Sequence, residues 1–269
     1  YITAILLTIA VAFITIGGIK RIASVAEKVI PFMCVLYIGG VVLILVSHIT
    51  LLPSTLALII KSAFTPQAVF GGGTGITMVI AMQKGISRGI FSNESGLGSA
   101  PIAAAAAKTD SCVEQGLVSM TGTFIDTIVI CTMTGLAIVL TQSYTTGLDG
   151  AAMTTHAFSV GLFIPLIGKY IVNIGLVFFA FTTILGWDYY SERCLEYLTN
   201  GNMKKVKVFR WVYILAVFIG PYMTVSAVWV IADIFNGLMA LPNMIAIFAL
   251  SGVVVKETRD FFKAKKHLK

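Results

Sequence analysis

Residues 70–75 read FGGGTG, with glycine at 71, 72, 73 and 75, between the apolar runs ALII at 57–60 and ITMVIAM at 76–82. Each glycine weakens a helix by about 1 kcal/mol relative to alanine. On pattern alone two readings stand. Gly71 and Gly75 form a GxxxG pair, which lets two helices approach closely. Gly72 and Gly73 add nothing to such a face and point instead to a helix unwound at this place. In hydrocarbon, unwound backbone survives only where it is buried in protein or lines a cavity, because unpaired N–H and C=O groups are costly there. Transporters place their binding sites at such breaks, where half-helix N-termini receive anionic groups and loose carbonyls receive cations.

The rest of the chain makes the membrane the right setting. Of 269 residues, 57% are hydrophobic and 12% charged, with mean hydropathy +0.93; soluble domains carry about 25% charged residues. The apolar residues come in runs long enough to cross a bilayer as helices. The alternating segments of about ten residues that mark a barrel are missing. The sequence is that of an all-α polytopic membrane protein. Its net charge of +7 sits in short loops between apolar runs, so topology rather than nucleic acid accounts for it. Cys34, Cys112, Cys131 and Cys194 are scattered and form no CxxC pair, which argues against a metal or disulfide framework.

We expect seven crossings, at roughly 1–18, 30–48, 68–90, 113–141, 160–188, 207–224 and 226–256. Basic residues alternate between loops. Lys20, Arg21 and Lys28 follow the first segment, Lys84, Arg88 and Lys108 the third, and Arg193, Lys204, Lys205, Lys207 and Arg210 the fifth. The loops between hold only Lys61. The positive-inside rule then places residue 1 outside and the basic tail 257–269 in the cytoplasm. Leu241-Pro242-Asn243 interrupts the last segment, read as one broken crossing. Three stretches are expected to lie on the surface: an amphipathic helix at 19–29, an outer helix at 51–64 and an Ala-rich helix at 97–108.

Polar residues inside the apolar runs are the remaining candidates. Thr182 and Thr183 are adjacent hydroxyls deep in the fifth segment. Each can bond back to a carbonyl one turn earlier, or join backbone carbonyls as an oxygen ligand for Na⁺. Trp187 lies one turn beyond Thr183 on the same face and can wall a small pocket. Asp126 and Asp233 are intramembrane carboxyls. Each is either a proton or cation site or a structural group bonded to a broken-helix N–H. His48, His156 and His267 lie at segment ends or in loops and form no catalytic cluster.

The stretch RGIFSNESGLGSAPIAAAAAK at 88–108 resembles the sodium:alanine symporter, or amino acid carrier, family. So do EQGLVSMTGTFIDTIVICTMTGLAI at 114–138, GGIKRIASVAEKVIPFM at 17–33, KSAFTPQAVFGG at 61–72 and ADIFNGLMALPN at 232–243. Ala104 departs from the family pattern, where a histidine is common, but lies outside the expected pocket. The resemblance implies a LeuT-type fold of two inverted five-helix repeats, with this chain a fragment covering core helices four to ten. Residues 1–64 would be the end of the first repeat, with two spanning helices and surface helices. Residues 65–256 would be the second repeat, five spanning helices of which the first is broken at 71–75, and 257–269 a cytoplasmic tail.

The resemblance also implies an activity: import of a small neutral amino acid, alanine or glycine, with Na⁺ as coupling ion and no other cofactor, in the cell membrane. Gly73, Thr74 and Gly75 would contact the substrate, and Phe178 and Trp187 would bound its side chain. Thr182, Thr183 and the carbonyl of Phe179 would form the eighth-helix half of a sodium site. Ser92, Asn93 and Glu94 would form an inner gate or helix-linking network, with Asp126 a further gate or coupling group.

The rival readings are weaker. An intramembrane hydrolase needs a base for its serine, and no histidine lies in the membrane to serve. A passive pore would show no saturation. Within transporters, proton coupling through Asp126 competes with sodium. The chain begins at Tyr1 inside an apolar run, so an N-terminal part is expected to be missing. If that loss is genuine, no transport is expected, since half of each site goes with it. The sequence does not set the oligomeric state.

Overall fold

Gly17 and Gly18 make the first turn of the chain, with Gly18 at φ 69°, a conformation that suits glycine. The computed structural model describes residues 2–63 and 78–266. The glycine-rich run, and with it Gly73, Thr74 and Gly75, lies outside the described residues. In order come α1 (Ile2–Thr15), α2 (Ile19–Ser47), α3 (Leu52–Ala63), α4 (Met78–Asn93), α5 (Ala100–Ala104) and α6 (Cys112–Phe124). A π-helical stretch, Ile125–Cys131, joins α6 to α7 (Thr132–Leu140). Then follow α8 (Gly150–Gly161), α9 (Pro165–Leu198), α10 (Met203–Ile219) and α11 (Val225–Lys266). Among the described residues there is no strand. Among the described residues four helical stretches are long and apolar enough to cross a membrane: Arg21–Ser47, Cys112–Leu140, Pro165–Leu198 and Val225–Lys265. The chain is therefore an all-helical membrane protein, with fewer full-length spans among the described residues than the seven expected.

Three expectations change. The amphipathic stretch 19–29 is no separate helix. It opens α2, which runs unbroken through Pro31, because nothing like the Gly17-Gly18 turn separates it from the apolar run. The Ala-rich helix at 97–108 shrinks to five residues, Ala100–Ala104; a short helix with little to pack against is marginal. Pro242 does not break the last segment, since α11 is a single helix of 42 residues. A proline removes one hydrogen bond, and a long apolar helix absorbs that through its neighbouring turns.

The chain forms two compact units. The first holds residues 1–78 and 130–223. Its core joins α2, α7, α8 and α9 through Val41, Ile44, Ala137, Phe158, Ile171 and Val172. In lipid, apolar surface gains little by being buried, so close packing carries the association of helices. Small residues supply it. A Cβ at Gly168 would lie 2.3 Å from the Phe158 carbonyl oxygen, and one at Gly40 2.8 Å from the Phe158 ring. A second cluster, Val11, Ile14, Ile22 and Leu185, ties α1, α2 and α9 together.

The second unit holds residues 79–129 and 224–269. Within it α6 packs on α5 and α11. Ser111 caps the start of α6, its hydroxyl accepting a hydrogen bond from the Glu114 N–H at 3.3 Å. Many apolar side chains of α11 are exposed, among them Ile245 and Phe248, as befits a helix in hydrocarbon.

Candidate functional site

In the first unit the hydroxyl pair sits midway along α9. Thr182 Oγ1 donates to the carbonyl of Phe178 at 2.9 Å and lies 3.2 Å from that of Phe179. The hydroxyl therefore bonds back to its own helix, the local pattern open to any threonine in a helix. A hydroxyl has one hydrogen and two lone pairs, so donating to a carbonyl leaves oxygen lone pairs for a cation. The Thr182 hydroxyl and Phe179 carbonyl are close enough to share one ion. Thr183 is exposed and Thr182 half-buried.

Aromatic rings surround this stretch. Phe178 meets Phe32 of α2 edge to face at 5.7 Å, and Phe179 meets Tyr37 at 5.9 Å. Tyr37 in turn shares a 2.8 Å hydrogen bond with Thr134 of α7. Trp187 is half-buried and stacks edge to face on Tyr190 at 5.6 Å.

One turn further along α9 lie charged groups that the sequence reading passed over. Arg210 of α10, read as a loop residue, donates to both carboxylate oxygens of Glu192, with its Nη2 contact at 2.9 Å. Asp188 is 1% exposed, and neither of its carboxylate oxygens has a hydrogen-bond partner.

In the second unit the gate candidates come together. Ser92 Oγ lies 2.9 Å from both carboxylate oxygens of Asp126. Asn93 Nδ2 donates to Thr127 Oγ1 at 2.8 Å. Glu94 is not in this pair of contacts; its carboxylate accepts from Ser99 Oγ at 2.7 Å. Asp126 and Thr127 open the π-helical stretch. Such stretches occur often at functional sites, and nothing in the spacing of the sequence marks this one.

The carboxylate of Asp233 bonds to side chains rather than to a broken-helix N–H. It is ion-paired with Arg88 Nη2 at 2.6 Å, and Ser87 donates to it at 3.3 Å. The same guanidinium lies over the Trp229 ring at 4.0 Å. A residue read as a cytoplasmic loop charge is thus the partner of an intramembrane acid, on one helix face formed by Ser87, Arg88 and Phe91. Among the described residues no group of three or more His, Cys, Asp or Glu residues is placed to hold a metal ion.

Helices of this kind, an intramembrane hydroxyl pair and a polar link between α4 and the π-helical stretch fit a transporter, and comparison with known proteins gives the family. The model of the sodium:alanine symporter family matches residues 1–269. An uncharacterized transporter of Haemophilus influenzae is 52% identical over 266 residues, 98% of this chain and 58% of that protein. The sodium/alanine symporter AgcS of Methanococcus maripaludis is 45% identical over 99% of this chain and 58% of its own. A sodium/proton-dependent alanine carrier protein of Bacillus sp. strain PS3 is 33% identical over 97% and 61%. The chain thus spans somewhat over half the length of these relatives. Matched along its whole length, it belongs to the sodium:alanine symporter family.

Proposed function

We propose that the protein imports a small neutral amino acid, alanine or glycine, together with Na⁺ by alternating access across the cell membrane, its C-terminus in the cytoplasm. The observation that carries the ion assignment is the match to the sodium:alanine symporter family over residues 1–269; the Thr182 hydroxyl and the Phe179 carbonyl, 3.2 Å apart, are the oxygens we offer for it. With Thr183 these oxygens would supply one side of the sodium site. The helices here take the places of core helices four to ten of a LeuT-type fold, with residues 65–256 the second inverted repeat. Gly73, Thr74 and Gly75 would hold the substrate backbone, and Phe178 and Trp187 would limit its side chain. Sodium orders the site, the amino acid binds beside it, and each ligand stabilises the geometry the other needs, a coupling that is reciprocal.

A second reading couples transport to protons through Asp126. It is favoured by the contacts of the Ser92 hydroxyl with both Asp126 oxygens and by the relative described as sodium/proton-dependent. Uptake of labelled alanine into proteoliposomes holding the complete gene product, driven by a sodium gradient or a proton gradient alone, separates the two. Uptake that requires sodium and is blocked by excess glycine supports the first reading. Uptake driven only by protons supports the second, and none under either gradient defeats both.

A further inference from the structure

The loop after α4 is held in a tight fold. Glu94, Gly96 and Gly98 have positive φ of 55°, 83° and 82°, a region that glycine takes without strain and glutamate does not. Leu97 and Ser99 are buried at 4% and 1% exposure, and the Glu94–Ser99 bond closes the loop on itself. Asn243 reaches this loop from α11. Its side-chain amide donates to the Gly96 carbonyl at 2.9 Å. Its Oδ1 would lie 2.9 Å from a Cβ at position 98, so the amide fills the space a side chain there would need. On its own helix Asn243 is half-buried while Leu241, Met244 and Ile245 are exposed. A polar amide in an apolar helix is costly without a partner, and here the partner is loop backbone.

The loop matters because of what it ends. α4 follows the glycine-rich run directly, and its last turn carries Ser92 and Asn93, bonded to Asp126 and Thr127. We propose that Asn243 is a positioning residue of the transport cycle: its amide ties the 94–98 loop to α11 and so fixes the C-terminal end of α4. This rests on the transport reading above. The end of α4 then has two ties, one to the π-helical stretch and one to α11, and it moves only when the second is released.

Asn243→Ala removes the tie. Asn243→Asp keeps the shape against Gly98 but replaces the donor with an acceptor facing a carbonyl. Each variant is compared with wild type by hydrogen exchange of the 94–99 backbone amides, by equilibrium alanine binding and by alanine turnover in proteoliposomes at matched protein amount. Both should speed exchange about tenfold, the loss of one hydrogen bond, and slow turnover about as much, with binding changed less than about twofold. Faster exchange with unchanged turnover would overturn the positioning role. A wild-type result for Asn243→Asp would show that the amide donor is not the tie. Equal loss of binding and turnover would reduce Asn243 to a structural residue. Should wild type itself take up no alanine, the transport reading fails and the positioning role with it, while exchange still decides whether the tie exists.

Discussion

Ser92 Oγ lies 2.9 Å from each carboxylate oxygen of Asp126, across 34 residues of sequence. The contact joins the last turn of α4 to the first turn of the π-helical stretch, and it tests which ion drives transport. Under sodium coupling, Asp126→Asn should leave the sodium concentration needed for half-maximal uptake unchanged within about twofold. Ser92→Ala should slow turnover about 10–100-fold, the range of one hydrogen bond to a charged group. If Asp126→Asn instead abolishes uptake driven by a proton gradient, Asp126 is the coupling group and sodium is not.

The sodium assignment predicts a split within α9. Thr182 already donates to its own helix, so Thr182→Ser should be tolerated and Thr182→Val should raise the sodium requirement at least about tenfold, the cost of one lost polar ligand. Thr183→Val should also raise it more than it changes substrate selectivity. Uptake titrated against sodium at fixed alanine measures both. An unchanged sodium curve for Thr183→Val removes Thr183 from the site.

Trp187 is half-buried against Tyr190. As the wall of the substrate pocket it should set the size limit, so Trp187→Ala should let leucine compete with labelled alanine. One methylene in an apolar pocket is worth about 10–200-fold in selectivity. Leucine competition that stays negligible would show that Trp187 is not the wall.

Glu192 and Asp188 make opposite predictions for stability. Glu192 is paired with Arg210, and the two side chains are 7% and 17% exposed. Glu192→Gln leaves a half-buried guanidinium without its counter-charge and should destabilise by about 1–3 kcal/mol. Asp188 has no hydrogen-bond partner for either oxygen, so Asp188→Asn removes a buried acid without breaking a hydrogen bond and should leave stability equal or higher. Thermal melts in detergent, read by retention of monodisperse protein, compare the two variants. A lower melting temperature for Asp188→Asn would mean that its carboxylate has a partner in the folded protein.

Apolar run length and turn residues determined most of the elements on their own. The bilayer forces backbone bonds to close within each helix, so helix positions depend on local sequence. The runs expected at 113–141 and 160–188 follow from that, each falling in a helical stretch long enough to span, Cys112–Leu140 and Pro165–Leu198. The bond of Thr182 to its own helix was legible for the same reason, since its partner lies four residues away. Pro242 misled because a proline signals a lost hydrogen bond, and only the flanking turns decide whether the helix continues.

What the tertiary structure alone decided are the partners across the chain. Arg88 and Asp233 are 145 residues apart, and Asn243 and Gly96 are 147. Nothing in the local pattern of either residue names the other. Arg88 and Arg210 read as loop charges, because charge near a run end sets topology by the same signal whether or not an acid on another helix waits for it. The pairings arise because a polar group in apolar surroundings must find a counterpart, and packing of distant helices determines which one it meets.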